Sequence, residues 1–171
     1  MGIHFSGREL IDIAVGIERS GAAFYDYLTE STKDAKIGIM YSELAARERE
    51  HIQTFQNMLG AADDYVNLEP YEEEYGLYLK TLVDSAVFNN ERTAREAAQK
   101  AASELEALEI GIRAEKDSIL FYSAIQGLIR RADADLIGGI IKEEKGHLAQ
   151  LSDLKRRLSK SPRSKQPTRG K

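Results

Sequence analysis

The chain has no cysteine, which excludes disulfide scaffolds, zinc fingers, thiol catalysis and cysteine-ligated iron. Any metal chemistry must therefore use oxygen and nitrogen ligands. Tryptophan is also absent. Of only three prolines two, Pro162 and Pro167, fall in the last ten positions, so the rest of the chain carries few helix breakers. No run of 18 or more apolar residues exists, so no segment is long enough to span a bilayer as a helix. The start, MGIHFSGREL, has no apolar signal core before its charges begin, which predicts a cytoplasmic protein. What is present, 171 residues with 42% hydrophobic and 30% charged, suits one domain with a core of its own.

The net charge of −4 conceals an asymmetry. Residues 160–171, KSPRSKQPTRGK, carry five positive charges and no negative one, which leaves −9 on residues 1–159. A stretch of Ser, Pro, Gly and cations cannot bury a core, so 160–171 is expected to be a disordered basic tail and 1–159 the folded domain. An acidic body argues against nucleic acid as a ligand.

Four stretches, 8–32, 35–59, 103–130 and 133–158, repeat apolar residues at helical spacing without an internal proline. Ser103 with Glu106 reads as a capping box for the third, and Asp133 or Asp135 as the cap of the fourth. Lys33-Asp34 and Arg131-Ala132 leave little room for more than a turn. The first and second stretches therefore pair as one antiparallel hairpin, and the third and fourth as another. The joining stretch, 60–102, contains Pro70, the acidic run Glu72 to Glu74 and an apolar patch from Leu77 to Phe88 that is expected to form a short helix. The predicted fold is all-α, a four-helix bundle whose two hairpins are joined by a long crossover.

The inward stripes of these helices are unusual. They read Ile11, Ala14, Glu18, Gly21, Tyr25, Leu28 on the first and Ile37, Tyr41, Leu44, Glu48, His51, Phe55, Met58 on the second. The third reads Leu105, Leu108, Ile112, Glu115, Ile119, Tyr122, and the fourth Ile137, Ile140, Glu144, His147, Leu151, Leu154. Carboxylates stand where leucines belong, once on every helix.

The two halves also repeat each other. Phe24 and Tyr25 follow Glu18 at the same offsets at which Phe121 and Tyr122 follow Glu115. Thirty residues after Glu18 comes Glu48 with His51 at i+3, and 29 after Glu115 comes Glu144 with His147 at i+3. Each of these groups lies about 14 to 16 residues from its hairpin turn, so at about 1.5 Å per residue all six fall in one layer near the helix midpoints.

A single Glu-x-x-His on a helix is usually solvated surface. Four carboxylates and two imidazoles buried together, with no Lys or Arg on the inward stripes, need a cationic partner. Two divalent metal ions supply four positive charges against four carboxylates, and the i, i+3 spacing lets Glu and His of one helix address the same ion cluster. Glu18, Glu48, His51, Glu115, Glu144 and His147 are thus the candidate metal ligands. Mixed oxygen and nitrogen ligation suits iron or manganese, with zinc as a substitute.

Tyr25 and Tyr122 lie two turns beyond Glu18 and Glu115 and read either as core aromatics or as hydroxyl donors to a ligand carboxylate. Ala14, Gly21, Gly111 and Gly146 would make room for ions and a small molecule, and Gly138 and Gly139 suggest a close approach of another group. His4 has no partner at i−3 and reads as incidental. Glu43, Glu50 and Glu143 fall off the stripes and read as solvated charges.

The strings GIERSGAAFYDYL, LAAREREHIQTF, ALEIGIRAEKDSILFY and IIKEEKGHLAQL resemble the four ligand-bearing helices of the rubrerythrin branch of the ferritin-like superfamily, over about residues 8–158. The resemblance implies a ferritin-like bundle and a carboxylate-bridged site of two iron ions. Glu18 and Glu115 would be mainly terminal ligands, Glu48 and Glu144 bridging ones, with His51 and His147 each completing one iron. It implies an oxidoreductase that reduces hydrogen peroxide or dioxygen, in a homodimer. Two departures stand out. The rubredoxin domain that serves many rubrerythrins as electron donor cannot be built without cysteine, so electrons would come from an external, rubredoxin-like protein. Where rubrerythrins often carry an extra carboxylate one turn from the third-helix ligand, this chain has Ile112 and Ser118. A ferroxidase that handles iron, and a binding bundle stapled by its metals, are the rival readings.

Overall fold

A computed structural model describes residues 3–60, 70–129 and 131–160. The basic tail lies outside the described residues except for Lys160, which ends a helix. Among the described residues six helices follow in order: α1 (Gly7–Ser31), α2 (Ala35–Gly60), α3 (Glu73–Asp84), α4 (Glu91–Lys100), α5 (Glu104–Gln126) and α6 (Arg131–Lys160). Among the described residues no helix is long and apolar enough to cross a membrane.

Local chemistry sets the helix starts. Ser6 caps α1 in a reciprocal box, its hydroxyl accepting from the Glu9 N–H at 3.2 Å while its own N–H donates to Glu9 Oε2 at 2.7 Å. Asp34 Oδ1 accepts from the N–H groups of Lys36 and Ile37 at 2.9 and 3.2 Å and so opens α2. The Ser103 hydroxyl accepts from the Glu106 N–H at 3.2 Å, but Glu106 reaches back to the Ala102 N–H at 2.8 Å, one residue before the cap. Asp133 and Asp135 do not cap α6. The helix begins at Arg131, so Asp133 sits in its first turn, where its charge suits the helix dipole.

The crossover holds two helices rather than one short helix. The apolar patch from Leu77 to Phe88 is broken at Ser85, and a new helix starts where Asn90 Oδ1 accepts from the Thr93 N–H at 3.0 Å and Thr93 Oγ1 accepts from the Asn90 N–H at 3.1 Å. α3 packs on α5 and contributes the fully buried Leu79. α4 runs along α1, with Ala94 and Ala98 buried. Small side chains there let the helices approach closely.

α1 pairs with α2 and α5 with α6, and the hairpins meet through α1 against α5 and α2 against α6. Their apolar core is not continuous. One cluster gathers Leu10, Ile11, Phe55, Leu79, Ile125 and Ile137 near the turn between α5 and α6. The other gathers Phe24, Leu28, Ile37, Leu44, Leu108 and Leu154 near the turn between α1 and α2. Between them lies a layer of buried polar side chains.

Because Leu79 is fully buried in the first cluster, Leu79→Ala is expected to cost about 2–5 kcal/mol. Urea unfolding of the variant measures it. A loss under about 1 kcal/mol would mean that the crossover does not share the bundle's core.

Candidate metal centre

The structure brings all six candidate ligands into that layer, each at most 8% exposed. They form two groups: Glu18, Glu48, His51 and Glu144, and Glu48, Glu115, Glu144 and His147. Within each group one ligand atom per residue lies within 4.8 Å of the others. Glu48 and Glu144 belong to both groups, as two carboxylates spanning a pair of ions must.

Glu144 stands at the centre. His51 Nδ1 is 2.8 Å from its Oε1 and His147 Nδ1 is 3.3 Å from its Oε2. His51 Nδ1 also lies 3.4 Å from Glu18 Oε2, and His147 Nδ1 lies 3.5 Å from Glu48 Oε1 and 3.9 Å from Glu115 Oε2. Despite this crowding, Glu18 Oε2, Glu48 Oε1, both Glu144 oxygens and both Nδ1 atoms have no hydrogen-bond partner. A buried polar atom left unpaired costs about 1–3 kcal/mol. These orphans converge on common points, so they fit metal ions, which would satisfy them together.

The two tyrosines reach across the bundle. The Tyr122 hydroxyl donates to Glu18 Oε1 at 2.5 Å, and the Tyr25 hydroxyl donates to Glu115 Oε1. Each bond joins one hairpin to the other and occupies one oxygen of a carboxylate, leaving the second oxygen to face the cluster. Gly21 works at the same scale. A Cβ there would stand 2.8 Å from Glu48 Oε2, so the absent side chain admits that carboxylate. A Cβ at Gly111 would stand at ordinary contact distance from Leu151, Phe24 and the Tyr25 hydroxyl, and Gly138 makes room for the Gln126 amide. Gly139 and Gly146 face open space and mark no close approach.

Glu143 is not simply a solvated charge. Its side chain is 51% exposed, yet Oε2 lies 3.3 Å from His51 Nε2, on the ring edge opposite the cluster. The signal missed in the sequence is adjacency: Glu143 immediately precedes Glu144 of the inward stripe and is long enough to swing to the imidazole of α2. Glu50 pairs with Arg47 at 2.7 Å on the surface.

Protons take the place of metals in the charge balance. Burial pushes the Glu18 carboxyl up to about 8, and burial together with the neighbouring carboxylates holds Glu48 and Glu115 well above their usual range. For Glu144 burial acts the same way, but the adjoining Glu115 carboxyl and the His147 and His51 imidazoles outweigh it and hold this carboxyl low. Burial disfavours the imidazolium of His147, yet Glu144 and Glu48 raise it to about 9, and Glu144 similarly raises His51. Without metal, protons shared among these carboxyls and imidazoles thus stand in for the missing cations.

The Rubrerythrin family model matches residues 9–155. The chain belongs to the rubrerythrin family. Among solved structures, a protein of Thermotoga maritima described as a ferritin-like diiron-carboxylate protein shares 25% identity, with a TM-score of 0.67, over 91% of this chain and 98% of its own. None of the curated proteins matches the chain. The rubrerythrin match spans α1 to most of α6 and contains all six clustered side chains.

The proton inventory fixes a pH slope. Folded Glu18 titrates near 8 and His147 near 9, above their unfolded values of 4.5 and 6.5, so between these limits the folded state holds more protons than the unfolded one. Stability of the chelated protein is therefore expected to fall as pH rises from about 4.5 to 9, and urea unfolding across that range reads the slope. Metal binding expels the protons, so its affinity should rise with pH instead. Gly21→Ala should leave the metal-free helix slightly more stable, by up to about 1 kcal/mol, while displaced Glu48 weakens metal affinity roughly tenfold, read by competition with a chelator dye.

Proposed function

We propose that the chain is a non-haem di-iron oxidoreductase that reduces hydrogen peroxide or dioxygen with electrons from an external redox protein. One observation carries this reading: two four-residue ligand groups share Glu48 and Glu144, with the Nδ1 atoms of both histidines turned inward. Four carboxylates balance two divalent ions, so the loaded layer is neutral where the metal-free one relies on protons. Glu18, Glu48, His51, Glu115, Glu144 and His147 are the proposed ligands, and iron is the proposed metal. Manganese or zinc would fit the same donors.

A pair of ferrous ions bound there would supply the two electrons that an O–O bond needs. The chain's own residues supply position and protons. Tyr25 and Tyr122 fix Glu115 and Glu18 by donating to one oxygen of each. Their hydroxyls are fully buried and held well above the usual phenol range by burial and by the adjacent carboxylates, so they keep their protons at neutral pH. Glu48 and Glu115 border a cavity on the α1 and α5 side, which admits a small oxidant. No cysteine lies among these 171 residues, so a sulfur-ligated electron donor would stand outside them, and we propose a separate rubredoxin-like protein in that role. We place the protein in the cytoplasm as a homodimer.

Anaerobic loading should give about two irons per chain, and stopped-flow mixing with peroxide and dioxygen in turn should give an optical change with at least one. Binding of less than about one iron, or no change with either oxidant, overturns the proposal. Tyr25→Phe should keep the iron content while slowing oxidant turnover about 10- to 100-fold.

A further inference from the structure

The cavity beside Glu48 and Glu115 is larger and more apolar than a two-atom oxidant requires. Its volume is about 210 Å³. A water molecule occupies about 30 Å³ of liquid, and an engineered apolar cavity of about 150 Å³ binds benzene. Dioxygen or peroxide would leave most of this space unfilled.

The walls are Ile13 and Ile17 of α1, Phe121 of α5, and Leu82, Val83 and Phe88 of the crossover. Three polar side chains on the walls are already engaged within the protein. The hydroxyls of Ser20 and Ser118 donate to the carbonyls of Gly16 and Ala114 at 2.9 and 3.1 Å, and Asp117 Oδ2 accepts from the Val87 N–H at 2.8 Å. That last bond fastens the link between α3 and α4 over the cavity, where Phe88 also packs on Phe24 with ring centroids 5.0 Å apart. Among the described residues no Lys or Arg lines the space, so none of them offers an anion a counter-charge there. At the inner end stand Glu48, Glu115 and the Tyr25 hydroxyl.

We propose that this cavity binds a small, uncharged, mainly apolar organic molecule, about the size of one or two fused rings, as a substrate oxidised at its end nearest Glu48 and Glu115. The oxidation rests on the oxidoreductase reading above; the binding does not. With peroxide as the oxidant no further reductant is required. The O–O bond breaks, one oxygen is inserted into a C–H bond and the other leaves as water, so R–H and H2O2 give R–OH and H2O.

Indole is a suitable probe, because the chain has no tryptophan to mask its fluorescence. Titrated into the zinc-loaded protein, which is redox-silent, it should bind saturably at about one per chain with a dissociation constant below about 1 mM. A Cβ at Gly16 would meet nothing within 4 Å, and Ala114 also lines the space, so Gly16→Leu and Ala114→Leu fill the cavity from two helices. Both should weaken indole at least about tenfold while zinc content and helicity hold. No saturable binding, or unchanged affinity in both variants, overturns the site. Iron-loaded protein given indole and peroxide should yield hydroxylated indole. Peroxide consumption without that product, with indole bound, overturns the substrate role and leaves the oxidoreductase reading standing. No peroxide consumption even without indole sinks that reading and the oxidation with it, while the zinc titration still decides whether the cavity binds.

Discussion

The rest of this structure depends on the burial of four carboxylates and two imidazoles in one layer of a helical bundle. Such a layer is unfavourable unless its charges are matched, and no Lys or Arg stands on the inward stripes to match them. Hydrogen bonds cannot complete the match either, since five of the six residues keep at least one buried atom without a partner. Folding energy therefore comes from the two apolar clusters on either side, while the layer between them is held by whatever cations occupy it. Protons and metal ions compete for the same atoms. Fold and function share one set of residues for that reason.

The internal repeat gives the layer its near-twofold form, and the tyrosines tie its halves together. Tyr25 of the first hairpin bonds Glu115 of the second, and Tyr122 of the second bonds Glu18 of the first. Each tyrosine also belongs to a different apolar cluster, Tyr25 to one and Tyr122 to the other, so the layer is braced from above and below. A hairpin that slid by one turn would break both bonds and misalign both ligand groups. The bundle's register is thus specified by polar contacts at its centre, while its stability comes from the ends.

Most of this was legible in the sequence because helical spacing makes a misplaced polar residue conspicuous. Glu18, Glu48, Glu115 and Glu144 each interrupt a stripe of apolar residues, and two of the three histidines sit three positions after such a Glu. The four long helices were legible for the same reason. What escaped lacked periodicity. α4, ERTAREAAQK, buries only alanines, so no large apolar stripe announces it, although the Asn90 and Thr93 pair is a readable cap. The tyrosine partners escaped because two turns along one helix suggests a neighbour on that helix, whereas the hydroxyls reach the opposite hairpin. Glu143 escaped because a long side chain just off a stripe can still return to it. The cavity is formed by four segments distant in sequence, which no local pattern encodes.

The surroundings break the symmetry that the ligands nearly keep. The cavity lies between α1, α5 and the crossover and touches Glu48 and Glu115, members of the group that contains His147. The contact between His51 and Glu143 lies on α2 and α6 and belongs to the other group. Since α1 meets α5 on one side of the bundle and α2 meets α6 on the other, the two features face away from each other. On one side the ligand layer meets a mainly apolar space. On the other it reaches a half-exposed carboxylate through an imidazole ring. The cavity and the half-exposed carboxylate therefore connect the layer to different faces of the bundle. The crossover makes this division. By placing α3 on α5 and α4 on α1 it roofs the cavity on one side and leaves the α2 and α6 side uncovered by either helix. Connecting the hairpins and separating the approaches to the layer are thus one consequence of a single stretch of chain.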